Sequence, residues 1–317
     1  MKRKAKYTYI TICTALMTLA SCHQEELYTG PCDVHFRAYL QEEVSVTRGY
    51  AAIGTDVPAF TAELFVSDGT SVHNPGLTWN GSSITGNLQL ETGTYRFYGY
   101  MPKQDGATFD PTTSTMHLPA TPGISATDAM VINPQTLTVD ENDQEKTVTL
   151  KMDHLMAKIT PRIYLNSTYA QMRSIKIKKV EFWIDGGADT HSASVAYTDD
   201  HYSVAWSVEG DIPVNRIIAY ETANPVTLTT TKGEQEYGHC YLCPNQSTEN
   251  LKMRVTYDVY DTANALTREN AVAENRIKRL TGQTINPGTN YKLNIQIVPT
   301  YLYALSDNDE ESLVIND

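Results

Sequence analysis

The chain has 317 residues, with 25 Lys and Arg against 37 Asp and Glu and a formal net charge of −12 at pH 7. Such an acidic balance argues against nucleic acid or an anionic lipid face as a partner, since both select basic patches. The length exceeds one typical hydrophobic core and predicts two domains.

Lys2, Arg3, Lys4 and Lys6 precede an uncharged stretch from Tyr7 through Ala20, the charged and apolar regions of a secretory signal. That stretch is too short to span a bilayer, which takes about 20 apolar residues. Leu19-Ala20-Ser21-Cys22 resembles the bacterial lipobox, in which the cysteine thiol receives a diacylglyceryl group and becomes the new N-terminus. The resemblance makes residues 1–21 a lipoprotein signal peptide and Cys22 the lipidation site. Gln24-Glu25-Glu26 resembles the short acidic signal that takes Bacteroidetes lipoproteins to the cell surface. Losing residues 1–21 leaves 21 basic and 37 acidic residues, a net charge of −16, so the lipid is the expected membrane contact.

From there on, apolar and polar residues alternate with period two, the pattern of strands with one buried face. Val34, Phe36, Ala38 and Leu40 form the first such run, and Ala62, Leu64 and Val66 the next. Thr47-Arg48-Gly49 and Tyr50 to Pro58 between them carry no strong strand pattern. Ser67-Asp68-Gly69 and Asn80-Gly81 read as turns, which makes Trp79 a candidate for exposure, and Tyr95 and Phe97 mark another strand. Residues 147–165 read as one strand-like segment interrupted by Pro161, and the boundary between an N-terminal domain, 22–150, and a C-terminal domain, 151–317, is placed there. In residues 175–184 the phase slips. Ile175 and Ile177 share one parity and Val180, Phe182 and Ile184 the other, so one extra residue at Lys178 or Lys179, a β-bulge, restores a single buried face. Asp185-Gly186-Gly187 follows as a turn. Leu251 to Val259 and Tyr291 to Ile297 are the clearest strands; residues 262–280 read as a loop with a strand or a short helix, and Pro287-Gly288 as a turn. Short strands with polar turns at such intervals predict antiparallel sandwiches.

Catalytic signatures are missing: there is no Gly-x-Ser-x-Gly elbow, His-Glu-x-x-His helix, phosphate-cradling glycine loop or dinucleotide fingerprint. No catalytic residue, metal site or cofactor is expected. Cys240 and Cys243 have Cys-x-x-Cys spacing, but zinc would want a second ligand pair and a redox motif a helix N-terminus, so buried or paired structural thiols are expected. His154, beside Leu155 and Met156, reads as a satisfied core histidine. The acidic run from Asp307 to Glu311 lacks the glycine turn of a calcium loop and reads as a solvated linker.

The lipobox, "VHFRAYLQEEVSVTRGY" with Thr47-Arg48-Gly49, "GTYRFYGYMP", "LKMDHLMAKIT" and "NPGTNYKLNIQIVPTYLYALSDND" together resemble the fimbrillin-like proteins of Bacteroidales, subunits of type V pili. The resemblance spans nearly the whole chain. It implies an all-β fold of two tandem transthyretin-like Greek-key β-sandwich domains. It also implies cleavage between Arg48 and Gly49 by an arginine-specific protease, and polymerisation with other fimbrial subunits by strand exchange. Cleavage would remove residues 22–48 and with them Val34, Phe36, Ala38 and Leu40. The tail 298–317 has the two apolar pieces and hydrophilic hinge of a donor arm, with Leu313 and Ile315 on one parity. Arg48 as an ordinary exposed arginine, and the tail as a final strand with a frayed end, stay open as plain alternatives.

Asp261-Thr262-Ala263 resembles the Bacteroidetes O-glycosylation motif and makes Thr262 a candidate for a glycan. The competing function is a surface glycan-binding lipoprotein, for which Trp79, Trp183 and Trp206 could stack on sugars. A host or bacterial surface ligand fits either reading.

Overall fold

The computed structural model describes residues 30–42, 50–52, 59–213, 215–298 and 312–315. In chain order the first half contributes β1 (Cys32–Gln41), β2 (Tyr50–Ala52), β3 (Phe60–Ser67), β4 (Val72–His73), β5 (Gly76–Trp79), β6 (Ile84–Thr85), β7 (Gln89–Leu90), β8 (Gly93–Met101), β9 (Thr108–Asp110), β10 (Thr115–Pro122), β11 (Ile124–Ser125), β12 (Met130–Val139) and β13 (Glu145–His154). The second half contributes β14 (Ala157–Leu165), one helical turn α1 (Ser167–Ala170), β15 (Arg173–Ile184), β16 (Ala188–Tyr197), β17 (Tyr202–Ile212), β18 (Ile217–Glu221), β19 (Cys240–Leu242), β20 (Leu251–Asp261), β21 (Leu266–Arg276), β22 (Asn290–Val298) and β23 (Ser312–Ile315). The all-β expectation is met.

Four sheets result. The largest runs β2-β1-β13-β12-β8-β3-β5-β6, with β4 on β3 and β7 on β1. Because β7 follows β6 directly and pairs with Cys32 and Asp33, the sheet curls until its ends meet. Val34, Leu64, Val66, Phe97 and Leu150 fill the inside of the curl. The opposite face, through Phe65, Tyr98, Tyr100 and Val131, packs on a second sheet, β17-β16-β10-β9, through Met116, Leu118 and Val195. The third sheet, β11-β19-β14-β22-β23, and the fourth, β18-β15-β20-β21, enclose a further core containing Ile159, Ile163, Phe182, Val255 and Ile295. This is sheet-on-sheet packing, with alternate side chains of each strand turned inward.

The two halves interlock. β16 and β17 follow β15 of the fourth sheet, yet β16 pairs with β10 of the first half, while β11 pairs with β19 of the second. Gly123 sits at the crossing: its N–H donates to the Asp189 carbonyl and its own carbonyl accepts from the Cys243 N–H, each at 2.8 Å. In each half the first strand in sequence lies in parallel beside a strand from near the end of that half. Asp33 through Leu40 of β1 face Glu145 through Met152 of β13, and Lys158 through Leu165 of β14 face Asn290 through Ile297 of β22.

Several local readings recur in the structure. The register of β15 on β20 shifts between Ile177 and Lys179, so Lys178 is the extra residue of the bulge, and Ile175, Ile177, Val180, Phe182 and Ile184 all reach one core. Gly69 and Gly81 turn with φ of +89° and +94°, where a side chain would be strained. Residues 262–280 supply β21 and a 3-10 turn, Lys278–Leu280. One reading is corrected. The strand-like segment 147–165 breaks at Leu155-Met156, not at Pro161, which lies inside β14. There Pro161 is already past Ile159, the last residue paired with β19, so its missing N–H interrupts no pairing with that strand.

Candidate functional site

The alternation of β1 puts its apolar residues on the inside of the curled sheet. Cys32 is 1% and Val34 3% exposed; Phe36, Ala38 and Leu40 are half-buried against the same core, while Asp33, His35 and Arg37 face solvent. Phe36 meets Phe97 edge to face, with centroids 6.5 Å apart. Among the described residues, only β13 accompanies β1 along its length. On the other side β7 pairs with Cys32 and Asp33, and β2 with Tyr39 through Gln41. Between those two short pairings the Val34 N–H donates to the Leu88 carbonyl at 2.9 Å. A cleft of about 290 Å³ opens beside Phe36, Ala38 and Tyr39, walled by Trp79, Ser83 and Ile84. The strand is therefore bound by one long ladder and a partly filled apolar face.

Its C-terminal end is held by a buried polar cluster. Nδ1 of His154 bonds Oδ2 of Asp128, and Nε2 faces the Gln41 carbonyl at 3.1 Å; both side chains of the ion pair are 5% exposed. A carbonyl oxygen only accepts, so Nε2 donates to Gln41, and Nδ1 and the Asp128 carboxyl share the hydrogen between them. His154 is thus a satisfied core histidine, and what it satisfies is the last residue of β1.

At the other end of the chain, β23 lies antiparallel on β22, with Leu313 opposite Ile297, Val314 opposite Gln296 and Ile315 opposite Ile295. Leu313 and Ile315 thus stand at the register positions of two fully buried residues. Cys22, Arg48, Gly49 and the acidic run 307–311 lie outside the described residues.

The Cys-x-x-Cys pair is no centre of reactivity. Cys240 lies in β19, and both thiols are buried and unbridged. Burial pushes the Cys240 thiol far up, and burial together with the Asp128 charge pushes Cys243 up to about 12. Both are held as neutral thiols at physiological pH. Thr262 is exposed in the β20–β21 turn, where the Ala263 and Ala265 N–H groups donate to Oδ1 of Asp261.

The aromatic candidates separate. Trp79, expected at the surface because of the Asn80-Gly81 turn, is 4% exposed: it shares the inward parity of Leu77 on β5 and stacks on Phe60 at 6.4 Å. Trp183 is also buried, with the Arg216 guanidinium over its ring at 4.2 Å. Trp206 alone of the three is half-exposed, on β17. Sequence reasoning missed Asp128 and Gln41, whose partner His154 is far away in the chain. It also missed the cleft beside Trp206, which exists only because β17 crosses to the other half.

A protein-family model described as fimbrillin-like matches residues 50–314. Among solved structures, a candidate cell adhesion protein from Bacteroides fragilis aligns with a TM-score of 0.50 and 11% identity, covering 90% of this chain and 96% of that one. A second, from Bacteroides uniformis, aligns with a TM-score of 0.46, 12% identity and coverage of 91% and 98%. The fimbrial anchor protein Mfa2 from Porphyromonas gingivalis aligns with a TM-score of 0.34, 13% identity and coverage of 90% and 95%. At such identities the first likeness bears on the fold alone. No curated protein matches the chain.

Proposed function

The chain belongs to the fimbrillin-like family, and from that premise we propose that it is a structural and adhesive subunit of a cell-surface fimbria, exported as a lipoprotein and assembled by strand exchange. In this reading Cys22 carries the lipid that holds the precursor at the outer membrane, and an arginine-specific protease cuts between Arg48 and Gly49. The released segment, 22–48, contains β1. The observation that carries the reading is the way β1 is held: one long parallel ladder with β13, an inward face of Val34, Phe36, Ala38 and Leu40, and short pairings elsewhere. Such a strand leaves behind a groove of unpaired backbone and apolar pockets, which an extended segment of another subunit can fill.

The donor in this reading is the tail 298–317. In the monomer its strand is tied to β22 by four residue pairs, a short ladder to exchange for a longer one. Side chains of a strand alternate, so Leu313 and Ile315 enter the neighbour's pockets together while Val314 points away.

The test is a polymer ladder on denaturing gels after treatment of the precursor with an arginine-specific protease. Wild type is expected to lose residues 22–48 and ladder, and Arg48→Ala to remain full length and monomeric. Leu313→Asp with Ile315→Asp should be cleaved without laddering, because the acceptor groove would bury unpaired charge, whereas Val314→Asp should ladder. Equal ladders from the three tail forms would end the donor assignment, and a wild-type polymer that keeps its N-terminal segment would end the cleavage step.

A further inference from the structure

The hairpin of β16 and β17 does more than complete the second sheet. Its outer strand passes the end of β13, and the two enclose a cleft of about 360 Å³ lined by Asn133, Asp153, Tyr202, Val204, Trp206 and Pro287 among others. On β17 the half-buried residues Tyr202, Val204 and Trp206 alternate with exposed Ser203, Ala205 and Ser207. The inward three rest on the aromatic core of Tyr98, Tyr100 and Tyr197, but as members of the last strand in their sheet they keep part of their surface open. Two rings at positions i and i+4 of one strand span about 13 Å in a row. The Trp206 ring is braced from one side by the fully buried His191, edge to face at 6.4 Å.

At the Tyr202 end of this row stands a carboxylate fixed in orientation. Asp153 is 7% exposed, and its Oδ2 accepts from Nδ2 of Asn133 at 2.7 Å and from the Tyr202 hydroxyl at 2.8 Å. A carboxylate this deep is tolerated only with such donors. A cleft with a row of two aromatic rings, Trp206 and Tyr202, and an oriented carboxylate and amide, Asp153 and Asn133, has few good occupants. The two histidines of the lining, His154 and His201, are each paired with a carboxylate, Asp128 and Asp200, so beside Asp153 an anion finds no unpaired cation, and a fully apolar ligand leaves the polar groups without compensation for lost water. A cation is attracted by a single ring face as well, but Oδ2 of Asp153 already accepts two hydrogen bonds, whereas a row of rings side by side along one strand matches the C–H faces of a sugar.

We propose that this cleft binds a neutral saccharide of one to three rings, whose C–H faces stack on Trp206 and Tyr202 while its hydroxyls bond the Asp153 and Asn133 wall. The site gives a ligand class to the adhesive role proposed above, but it is complete in the monomer and needs neither cleavage nor polymerisation.

The experiment uses the uncleaved precursor, with the leader removed, and a panel of lactose, N-acetyllactosamine, mannobiose and maltose. Binding is read by saturation-transfer difference NMR and by tryptophan fluorescence; tetramethylammonium chloride is the cationic comparison. Trp79 and Trp183 are buried, so a bound sugar should shift the emission of Trp206 alone. At least one sugar should bind in the millimolar range or tighter. Trp206→Ala should weaken it about tenfold or more, Trp206→Phe should retain most of the affinity while losing the fluorescence response, and Asp153→Asn should weaken it while far-ultraviolet circular dichroism stays unchanged. No binding by any sugar, or equal affinity in Trp206→Ala, overturns the proposal. Binding of tetramethylammonium without sugar overturns it in favour of a cationic ligand. Because the polymer ladder is scored separately, sugar binding without laddering would leave this site standing while the assembly reading falls, and the converse result would do the opposite.

Discussion

Deleting residues 22–48, so that the chain starts at Gly49, isolates the energetic role of β1. Cys32 and Val34 are almost fully buried, and Phe36, Ala38 and Leu40 are half-buried on the same core. At about 1.5 to 3 kcal/mol for a fully buried large apolar side chain, and about half that for a half-buried one, the strand contributes roughly 5 to 9 kcal/mol. A whole protein of this kind is stable by about 5 to 15 kcal/mol, so the deletion should leave the first half marginal. At about 2 to 4 °C per kcal/mol, the melting temperature should fall by about 10 to 36 °C. Differential scanning calorimetry of precursor and deletion is the assay, and a synthetic peptide of residues 31–42 added in excess is the control. The peptide should restore most of the lost melting temperature, because the groove along β13 is what it fills. The same peptide with Val34→Asp should not, because it would bury a carboxylate without a donor. A deletion form that melts within a few degrees of the precursor would refute the claim that β1 is structurally required until something replaces it.

Asp128→Ala removes one partner of a buried pair and leaves the His154 proton facing no carboxylate; a loss of about 3 to 5 kcal/mol is expected by urea unfolding, and less than 1 kcal/mol would show that the cluster does not hold the end of β1. Burial and the Asp128 charge push the Cys243 thiol up to about 12, so it stays neutral at pH 8. Iodoacetamide at pH 8 should therefore leave Cys240 and Cys243 unmodified in native protein and modify both in urea, as read by peptide mapping; native alkylation would contradict their burial. Cys22→Ala should abolish incorporation of a labelled fatty acid and release the protein from the membrane fraction, whereas unchanged labelling would end the lipoprotein assignment. Intact mass of protein from its native host should show added sugar that disappears in Thr262→Ala; an unmodified mass would remove Thr262 as a glycan site.

Much of the architecture was legible without coordinates because it is local. Period-two alternation marks which residues of a strand are apolar on one side, and a slip of phase such as that at Lys178 has one cheap remedy, an extra residue. Turn glycines are legible for the same reason: a positive φ is a property of one residue and its neighbours. A histidine flanked by Leu155 and Met156 was readable as buried, since its immediate surroundings already say so.

What covers an apolar face is not local. Trp79 next to a turn looked exposed, yet its parity with Leu77 turned it inward because a curled sheet supplied Phe60 and the rest of a core. The Asp128 and Gln41 partners of His154, the parallel seat of β1 beside β13, and the crossing of β17 to the other half all join residues far apart in the chain. Alternation alone is compatible with many such pairings, because each strand offers the same backbone donors and acceptors to any neighbour. By itself, then, the sequence determined the most strongly alternating strands, such as β1, β15, β20 and β22, with their inward faces, and several of the turns between strands. The tertiary structure alone decided which faces meet, and so which aromatic ring stays open beside Asp153 and which strand is held by a single ladder, because side-chain packing and backbone pairing at long range select one arrangement from those that the local pattern permits.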